Sequence, residues 1–226
     1  QVTDSKPRLS YNFVPELSIP DLSSMNLCNA AQKLELERLA GLYTTENGSM
    51  DEAYAYKLQN VRRGVNTDWI RAPLRVPFSH THSLSLSGRA QKIDYRTSLR
   101  FSDKYGVMKG DNRRNYTLNF SIGYHMRDKL TLRYTANYSL TDAKESPYGD
   151  FSAYTRLNPY DTPFDEYGNL VKAFNFDPED TSTSGDGHQV NPLYNATLSS
   201  FETTRDQTLR NTVDAKWYVT KDFFIT

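Results

Sequence analysis

The sequence predicts an all-β fold: an antiparallel meander of long strands that forms part of a β-barrel of the outer-membrane type, with short helices set into its loops. Three observations carry this. From residue 80 onward, apolar and polar residues alternate with a period of two over sustained segments. These segments are about 11 residues long, the length at which a tilted strand crosses a bilayer. The connections between them are alternately short and long, as in barrels whose tight turns face one compartment and whose loops face the other.

Composition sets the bounds. The chain has 226 residues, 27 Lys+Arg against 27 Asp+Glu, and a formal net charge of zero. No nucleic-acid partner is expected from such a balance. Mean hydropathy is −0.71 and 37% of residues are hydrophobic. No apolar run reaches the ~20 residues of a spanning helix, a test to which alternating strands are blind. Aromatics make up 13% of the chain, with 16 Tyr, 11 Phe and 2 Trp, a composition that suits sheets, carbohydrate-facing surfaces and membrane-interface belts. Cys28 is the single cysteine, so no internal disulfide forms. The chain opens at Gln1 and closes at Phe223–Thr226 within what reads as a fresh strand, so a piece of a longer protein, cut at both ends, is expected.

The elements follow in order. Residues 8–14 alternate weakly and read as a first strand, closed by Pro15 and Pro20. Asn26–Leu42 has helical spacing, with Gly41 near its end. Ser49–Glu52 has capping-box spacing, and the helical pattern after it runs to Arg63 with Gly64 as its stop. These helices are too short and too charged to form a core of their own. Strands are then expected at 80–88, 93–102, 115–126, 130–141 and 207–220. Leu118, Phe120 and Ile122 share one face with Leu132, Tyr134 and Ala136 if the two strands pair, and these six are expected on the outside of the curved sheet. Gly88–Lys92, Arg127–Lys129 and Lys221–Asp222 are the short connections, and Thr141–Pro192 is the longest. A soluble β-sandwich also alternates, with its apolar face inward. A soluble β-rich carbohydrate-binding or adhesin module is therefore the competing reading. Six strands and a stub cannot close a large barrel, which fits a partial chain.

A family resemblance enters at Asn66-Thr67-Asp68-Trp69. This stretch is followed by H-S-L-S-L-S-G at 82–88, Y-R-T-S-L-R-F at 95–101 and G-V-M-K-G at 106–110. Lys6–Asn12, Asn29–Glu35, Leu157–Tyr160, Asp165–Asn169 and Asn191–Ala196 complete an ordered series over nearly the whole chain. The series resembles the SusC/RagA family of TonB-linked outer-membrane transporters of Gram-negative bacteria. The resemblance implies a large, 22-stranded barrel filled by an N-terminal plug, active import of nutrient oligomers (glycans or peptides), and no enzymatic activity or cofactor. The implied partners are a SusD-type surface lipoprotein, TonB acting through the plug, and outer-membrane lipid. Residues 1–7 then correspond to the end of the plug or its linker, 8–14 to the first barrel strand and 15–79 to an extracellular helical insertion. Residues 80–226 correspond to barrel strands with the long loop 141–192. The plug itself is absent from this chain.

Candidate chemistry is sparse. His80 and His82 share a strand face at a spacing that can serve a metal, but no third ligand lies nearby in sequence, so the plainer reading is two residues near a membrane interface, and no metal is expected. The acid-rich stretch from Asp177 to Gly187 can offer carboxylates to calcium but lacks the alternating ligand pattern of a dedicated loop. The N-x-S/T sites at Asn47, Asn115, Asn119, Asn137 and Asn195 are expected by chance in a chain rich in Asn, Ser and Thr. No serine lies in a nucleophile elbow and no acid/base frame is recognisable, so no catalytic residue is expected. The best ligand-contact candidates are rings of the long connection: Tyr148, Phe151, Tyr154, Tyr160, Phe164 and Tyr167. Aromatic faces stack on sugar rings and peptide side chains, although such rings also pack a loop against itself. Arg96, Arg100, Arg133 and Asn137 lie on the polar strand face and are the lumen-facing candidates.

Overall fold

The computed structural model describes residues 5–46, 51–126, 129–174, 190–198, 202–220 and 223–226. In chain order the elements are β1 (Ser5–Leu17), α1 (Ala30–Leu39), α2 (Glu52–Arg62), β2 (Phe78–Ala90), β3 (Ile93–Tyr105), β4 (Asn112–Met126) and β5 (Leu130–Lys144). They end with α3 (Phe151–Thr155), α4 (Pro192–Asn195), β6 (Thr203–Tyr218) and β7 (Phe224–Ile225). All seven strands form one sheet in sequence order, each antiparallel to the next. The sheet is an open meander that does not close on itself.

Each predicted strand extends past its expected limit at one end or both, although β6 stops at Tyr218, short of the expected 220. The main six are 13 to 16 residues long, beyond the ~11 needed to cross a bilayer. The additions are mostly polar, and cross-strand ion pairs hold the ladder together past the apolar stretch. Arg114 meets Asp103 at 3.4 Å, Arg205 meets Asp142 at 2.6 Å, and Lys104 pairs with Glu16. β1 starts at Ser5, inside the stretch expected to be linker, and runs through Pro15, which was expected to end it. β1 pairs only with β2 among the described residues. The long connection accordingly spans 145–202 rather than 141–192.

Register fixes the faces, since directly opposed residues share a side. Leu99 stands opposite Leu84 and Leu118, which stands opposite Tyr138, and then Leu209. One continuous apolar face results. Leu118, Ile122, Leu132 and Tyr134 lie on it at 36–39% exposure and Val213 at 74%, so no second sheet covers it. Phe120 and Ala136, half-buried, lie on it as well. On β4 the apolar run from Tyr116 to Met126 is about 34 Å long at ~3.4 Å per residue. Tilted by ~45°, it spans about 24 Å, the height of a barrel's lipid-facing band at ~25 Å. Rings gather at the loop end of the band, where Phe101 lies 5.0 Å from Tyr116 and Phe13 lies 4.9 Å from His82. Tyr124 and Trp217 sit toward the turn end.

The connections sort by end. Met126 pairs with Leu130, Ala90 with Ile93 and Tyr218 with Phe224, so the short connections share one edge of the sheet. Leu17 pairs with Phe78, Tyr105 with Asn112 and Lys144 with Thr203 at the opposite edge, where residues 18–77, 106–111 and 145–202 emerge. The four helices of the described residues are on that side. The expected tight turns at Arg127–Asp128 and Lys221–Asp222 lie outside the described residues. α1 starts at Ala30 rather than Asn26 because Asn29 caps it. The Asn29 side chain accepts from the Gln32 N–H, and the Gln32 side chain accepts in return from the Asn29 N–H. α2 is capped by Asp51, which accepts from the Tyr54 N–H at 2.8 Å, rather than by Ser49, which lies outside the described residues. Gly64 follows its C-cap at φ +84°, the left-handed stop that glycine makes without strain.

Candidate functional site

Three loops from three different strand pairs meet above the sheet and are clamped into one platform. Its first core holds Ala30 and Leu34 of α1, Ala53 of α2, Tyr43, and Tyr160 from the 145–202 connection. Its second holds Trp69, Tyr154 and Phe174, with Met108 of the 106–111 connection packed against them.

Polar bonds fix the clamp. The Asn66 side chain accepts from the Ala30 N–H at the start of α1 at 2.9 Å. The Thr67 N–H donates to the Pro159 carbonyl at 2.8 Å, the Thr67 hydroxyl to the Asp161 carbonyl at 2.7 Å, and the Trp69 indole to the Asn158 carbonyl at 2.8 Å. From the third loop, the Lys109 N–H donates to the Pro73 carbonyl at 2.8 Å, and the Ser146 hydroxyl reaches the Lys109 carbonyl at 2.7 Å. The motifs N-T-D-W, L-N-P-Y and G-V-M-K-G are therefore the parts by which the loops grip one another.

Under the clamp lies a buried polar cluster. The Glu37 carboxylate, 8% exposed, accepts from the hydroxyls of Tyr43 and Tyr160 and pairs with Lys33 at 3.1 Å. Lys57 donates to the Tyr43 hydroxyl and lies over the Tyr43 and Tyr160 rings at 4.9 and 5.2 Å. Burial, reinforced by the Glu37 charge, raises the Tyr160 hydroxyl far above the usual phenol range. Burial also pushes the Asp161 carboxyl up to about 6, against the pull of Lys57 and a hydrogen bond from Asn158. The fold thus favours neutral Asp161. Its contribution to clamp stability is complete below the ordinary carboxylate value near 3.8 and is lost as pH rises through about 6. Asp161→Asn is expected to flatten this dependence. The measurement is exchange protection of the Thr67 N–H between pH 4 and pH 7, corrected for intrinsic rates.

The six aromatic candidates separate by burial. Tyr154 and Tyr160, at 0% and 1% exposure, are core residues of the platform and present no ring to a ligand. Their hydroxyls are used internally, Tyr154 donating to the Tyr148 carbonyl at 2.9 Å. Tyr148 is half-buried against the second core, and Phe151 is half-buried on α3. Phe164 at 47% and Tyr167 at 89% stand free. Tyr167 projects from the turn Asp165–Asn169, whose Asp165 side chain accepts from the N–H groups of Tyr167 and Asn169. Arg63 tethers this turn to the end of α2 through Glu166 at 3.3 Å. The sequence reading missed Glu37, Tyr43 and Lys57, whose roles depend on a partner 123 positions away along the chain in the case of the Glu37–Tyr160 bond. A groove of ≈540 Å³ runs between residues 22–29 and the clamp and is floored by Trp69 and Tyr154.

On the sheet, Arg96, Arg100, Arg133 and Asn137 share the polar face, as their register partners Ser87, Ser83, Gly123 and Asn119 require. Near the turn edge, Asp94 accepts from Arg133 at 3.2 Å and meets the His125 ring at 2.5 Å. Gly123 leaves room for this cluster, because a Cβ there would meet the Asp94 carboxylate at 2.6 Å. Gly123→Val is expected to expel Asp94 and cost about 1–3 kcal/mol, the usual range for an overpacked site, read as a lower midpoint in urea unfolding of the full-length protein in lipid vesicles. His80 and His82 fall on the apolar face with rings 5.1 Å apart. His82 is bonded through Nδ1 to the Tyr11 hydroxyl at 2.6 Å, and no group of three metal-capable residues occurs among the described residues. Asp177–Gly187 and Asn47 lie outside those residues.

No family model matches the chain. The TonB-dependent receptor P26 of Formosa agariphila is 24% identical over 233 residues, covering 97% of this chain and 21% of that receptor. The TonB-dependent receptor SusC of Bacteroides thetaiotaomicron is 24% identical over 173 residues, covering 70% of this chain and 17% of that protein. Among solved structures, the RagAB peptide transporter superposes with a TM-score of 0.71 at 14% identity, over 97% of this chain and 27% of that one. The RagAB peptide importer in its closed-closed state gives 0.70 at 14% identity over 96% of this chain. The chain therefore spans about a fifth of the length of the relatives it matches. The ordered motifs, the open meander with loops at one edge, and these relatives agree in making the chain similar to a barrel portion of TonB-dependent receptors of the SusC/RagA type.

Proposed function

We propose that the full-length protein imports nutrient oligomers, glycans or peptides, across the outer membrane of a Gram-negative bacterium, driven by TonB through a plug outside this chain. The observation that carries this reading is the two-faced single sheet. One face is a continuous apolar band of about 24 Å, the height of a barrel's lipid-facing belt, and the other, over β1–β6, is polar except at Val14 and Ala143. The loop platform then stands on the extracellular side, where a SusD-type surface lipoprotein docks. Residues 18–77 and 145–202 form the extracellular insertions, and the polar face lines the lumen.

Phe164 and Tyr167 supply exposed stacking surfaces, and transport favours contacts weak enough to release what they capture. Each ring is worth about 0.5–1.5 kcal/mol by analogy with aromatic pairs. The double variant Phe164→Ala/Tyr167→Ala is expected to reduce uptake only in part and to leave the platform intact. Growth of a host strain on the cognate oligomer, with surface amount checked by immunoblot, tests this. Normal growth of the double variant on every oligomer would remove these rings from capture. Failure of the unsubstituted protein to support growth on any oligomer, in a strain lacking its own importer, would remove the import reading.

A further inference from the structure

We propose that the apolar face of β1–β5 holds a defined seat for one phosphate-bearing glycolipid, an acyl chain lying in a ring-walled slot and the phosphate held by cations above it. The inference rests on the barrel reading above and adds a specific lipid to the outward face. A depression of ≈390 Å³ opens on that face, within the ~300–1,000 Å³ of small-molecule sites. By register its floor is the row Leu84, Leu99 and Leu118, with Tyr11 and Tyr138 at the two ends. The next row toward the loop edge, His82, Phe101 and Tyr116, walls its upper side. The Tyr11 hydroxyl and His82 Nδ1 are bonded to each other at 2.6 Å, and His82 stacks on Phe101 with ring centroids 6.2 Å apart. The slot is thus apolar where it is deepest. The Tyr116 and Tyr138 hydroxyls hold no bond among the described residues and remain as donors, as tyrosines do at a membrane interface.

One two-residue step nearer the loop edge, the same face turns charged. His80, Asp103, Arg114, Asp142 and Arg205 stand opposite one another across β2–β6, and the following row adds Lys144. Such a step is ~6.8 Å along a strand, or about 5 Å in height at ~45° tilt, so these groups sit at headgroup level directly above the rings. Three cations, Arg114, Lys144 and Arg205, face two carboxylates, Asp103 and Asp142. Asp103 is buried and already accepts from Tyr105, Asn112 and Arg114, so Asp142 is the carboxylate a ligand meets. Arg205 gives Asp142 its Nε and one Nη amine, and the rest of its five N–H donors stay available. Lys144 is exposed and holds no hydrogen bond or ion pair among the described residues. The surplus is cationic, so the headgroup is anionic, and guanidinium suits phosphate. A bare phosphate would meet Asp142 as repulsion. A sugar phosphate answers both signs, its hydroxyls donating to Asp142 and its phosphate accepting from Arg205 and Lys144.

The test places the full-length protein in phosphatidylcholine vesicles containing a small fraction of lipid A, a phosphorylated, acylated disaccharide. A photoreactive benzoylphenylalanine replaces Leu140, which borders the slot opposite Tyr116, or Val213, which is 74% exposed on the same face away from it. Lipid A adducts are expected at least about tenfold more often at position 140 than at 213, and dephosphorylated lipid A is expected to erase the difference, the scale of losing charge-assisted hydrogen bonds. Lys144→Gln/Arg205→Gln is expected to lower the yield at 140 about tenfold and to make it indifferent to dephosphorylation. Leu99→Trp, which fills the slot, is expected to lower the yield at 140 for both lipid forms. Arg210→Gln, on the opposite face, should stay within about twofold of the parent. Equal yields at 140 and 213, or a yield at 140 indifferent to both dephosphorylation and the charge variant, overturns the proposal. So does full displacement by excess inorganic phosphate with no effect of Leu99→Trp, which would make this a phosphate site instead of a lipid seat. Heat-modifiable migration reports barrel folding separately, and its absence in the parent protein would count against the barrel reading instead. Should the double variant not fold, Lys144→Gln alone gives the same comparison at one position.

Discussion

Tyr160→Ala is expected to detach the two large loops from each other and to cost about 3–5 kcal/mol of local stability, the range for truncating a buried aromatic side chain. The ring fills the core between α1 and α2, although it belongs to the other loop. Its hydroxyl also satisfies the buried Glu37 carboxylate at 3.0 Å, so truncation leaves a cavity and an under-solvated charge together. Tyr160→Phe keeps the ring and loses only the bond to Glu37, and should cost about 1–3 kcal/mol. The reading is limited proteolysis of the full-length protein on intact cells. Cleavage within 145–174 is expected to rise steeply for Tyr160→Ala and slightly for Tyr160→Phe, with the barrel band still heat-modifiable. Equal cleavage of both variants and the parent would mean the loops do not depend on the clamp.

Ile122→Arg is expected to cost about 2–4 kcal/mol in a bilayer, as measured for a cation on the lipid face at the membrane midplane. Ile122 lies within the apolar band between Tyr116 and Met126 and is 36% exposed. Ser121→Arg, one residue away and on the polar face opposite Thr135, should be nearly neutral, since a one-residue step reverses the side. Urea unfolding of the full-length protein refolded into lipid vesicles gives both values. In a soluble β-sandwich Ile122 would face inward and Ile122→Arg would also be costly, so the two readings part on whether the cost requires lipid vesicles or is the same in buffer alone.

Strands, faces and the sorting of loops to one edge were legible in the sequence because each rests on period, and period is local. The apolar face from Tyr116 to Met126 needed only alternate letters. Strand ends were less legible. Asp103, Arg114, Asp142 and Arg205 look like loop residues until register sets each acid opposite a base. The platform was least legible. Tyr154, Tyr160, Phe164 and Tyr167 are equivalent as letters, yet two are core and two are surface, and the difference is made by Trp69 and Glu37 in another loop. N-T-D-W marked the right place without its function, since the carbonyls it holds at 158, 159 and 161 carry no side-chain signature.

The central claim is that this sheet is a membrane wall with its apolar face to lipid and its polar face to a lumen. The most direct measurement is a nitroxide scan of residues 116–126, one label at a time, in the full-length protein in lipid vesicles. Collision rates with oxygen and with a water-soluble nickel chelate are read at each position. Oxygen is expected to dominate at 118, 120, 122 and 124, and nickel exclusion to weaken at 117, 119, 121 and 123, with a period of two. Nickel collisions at the even positions equal to those at the odd ones, or a loss of oxygen access at 118–124, would contradict it.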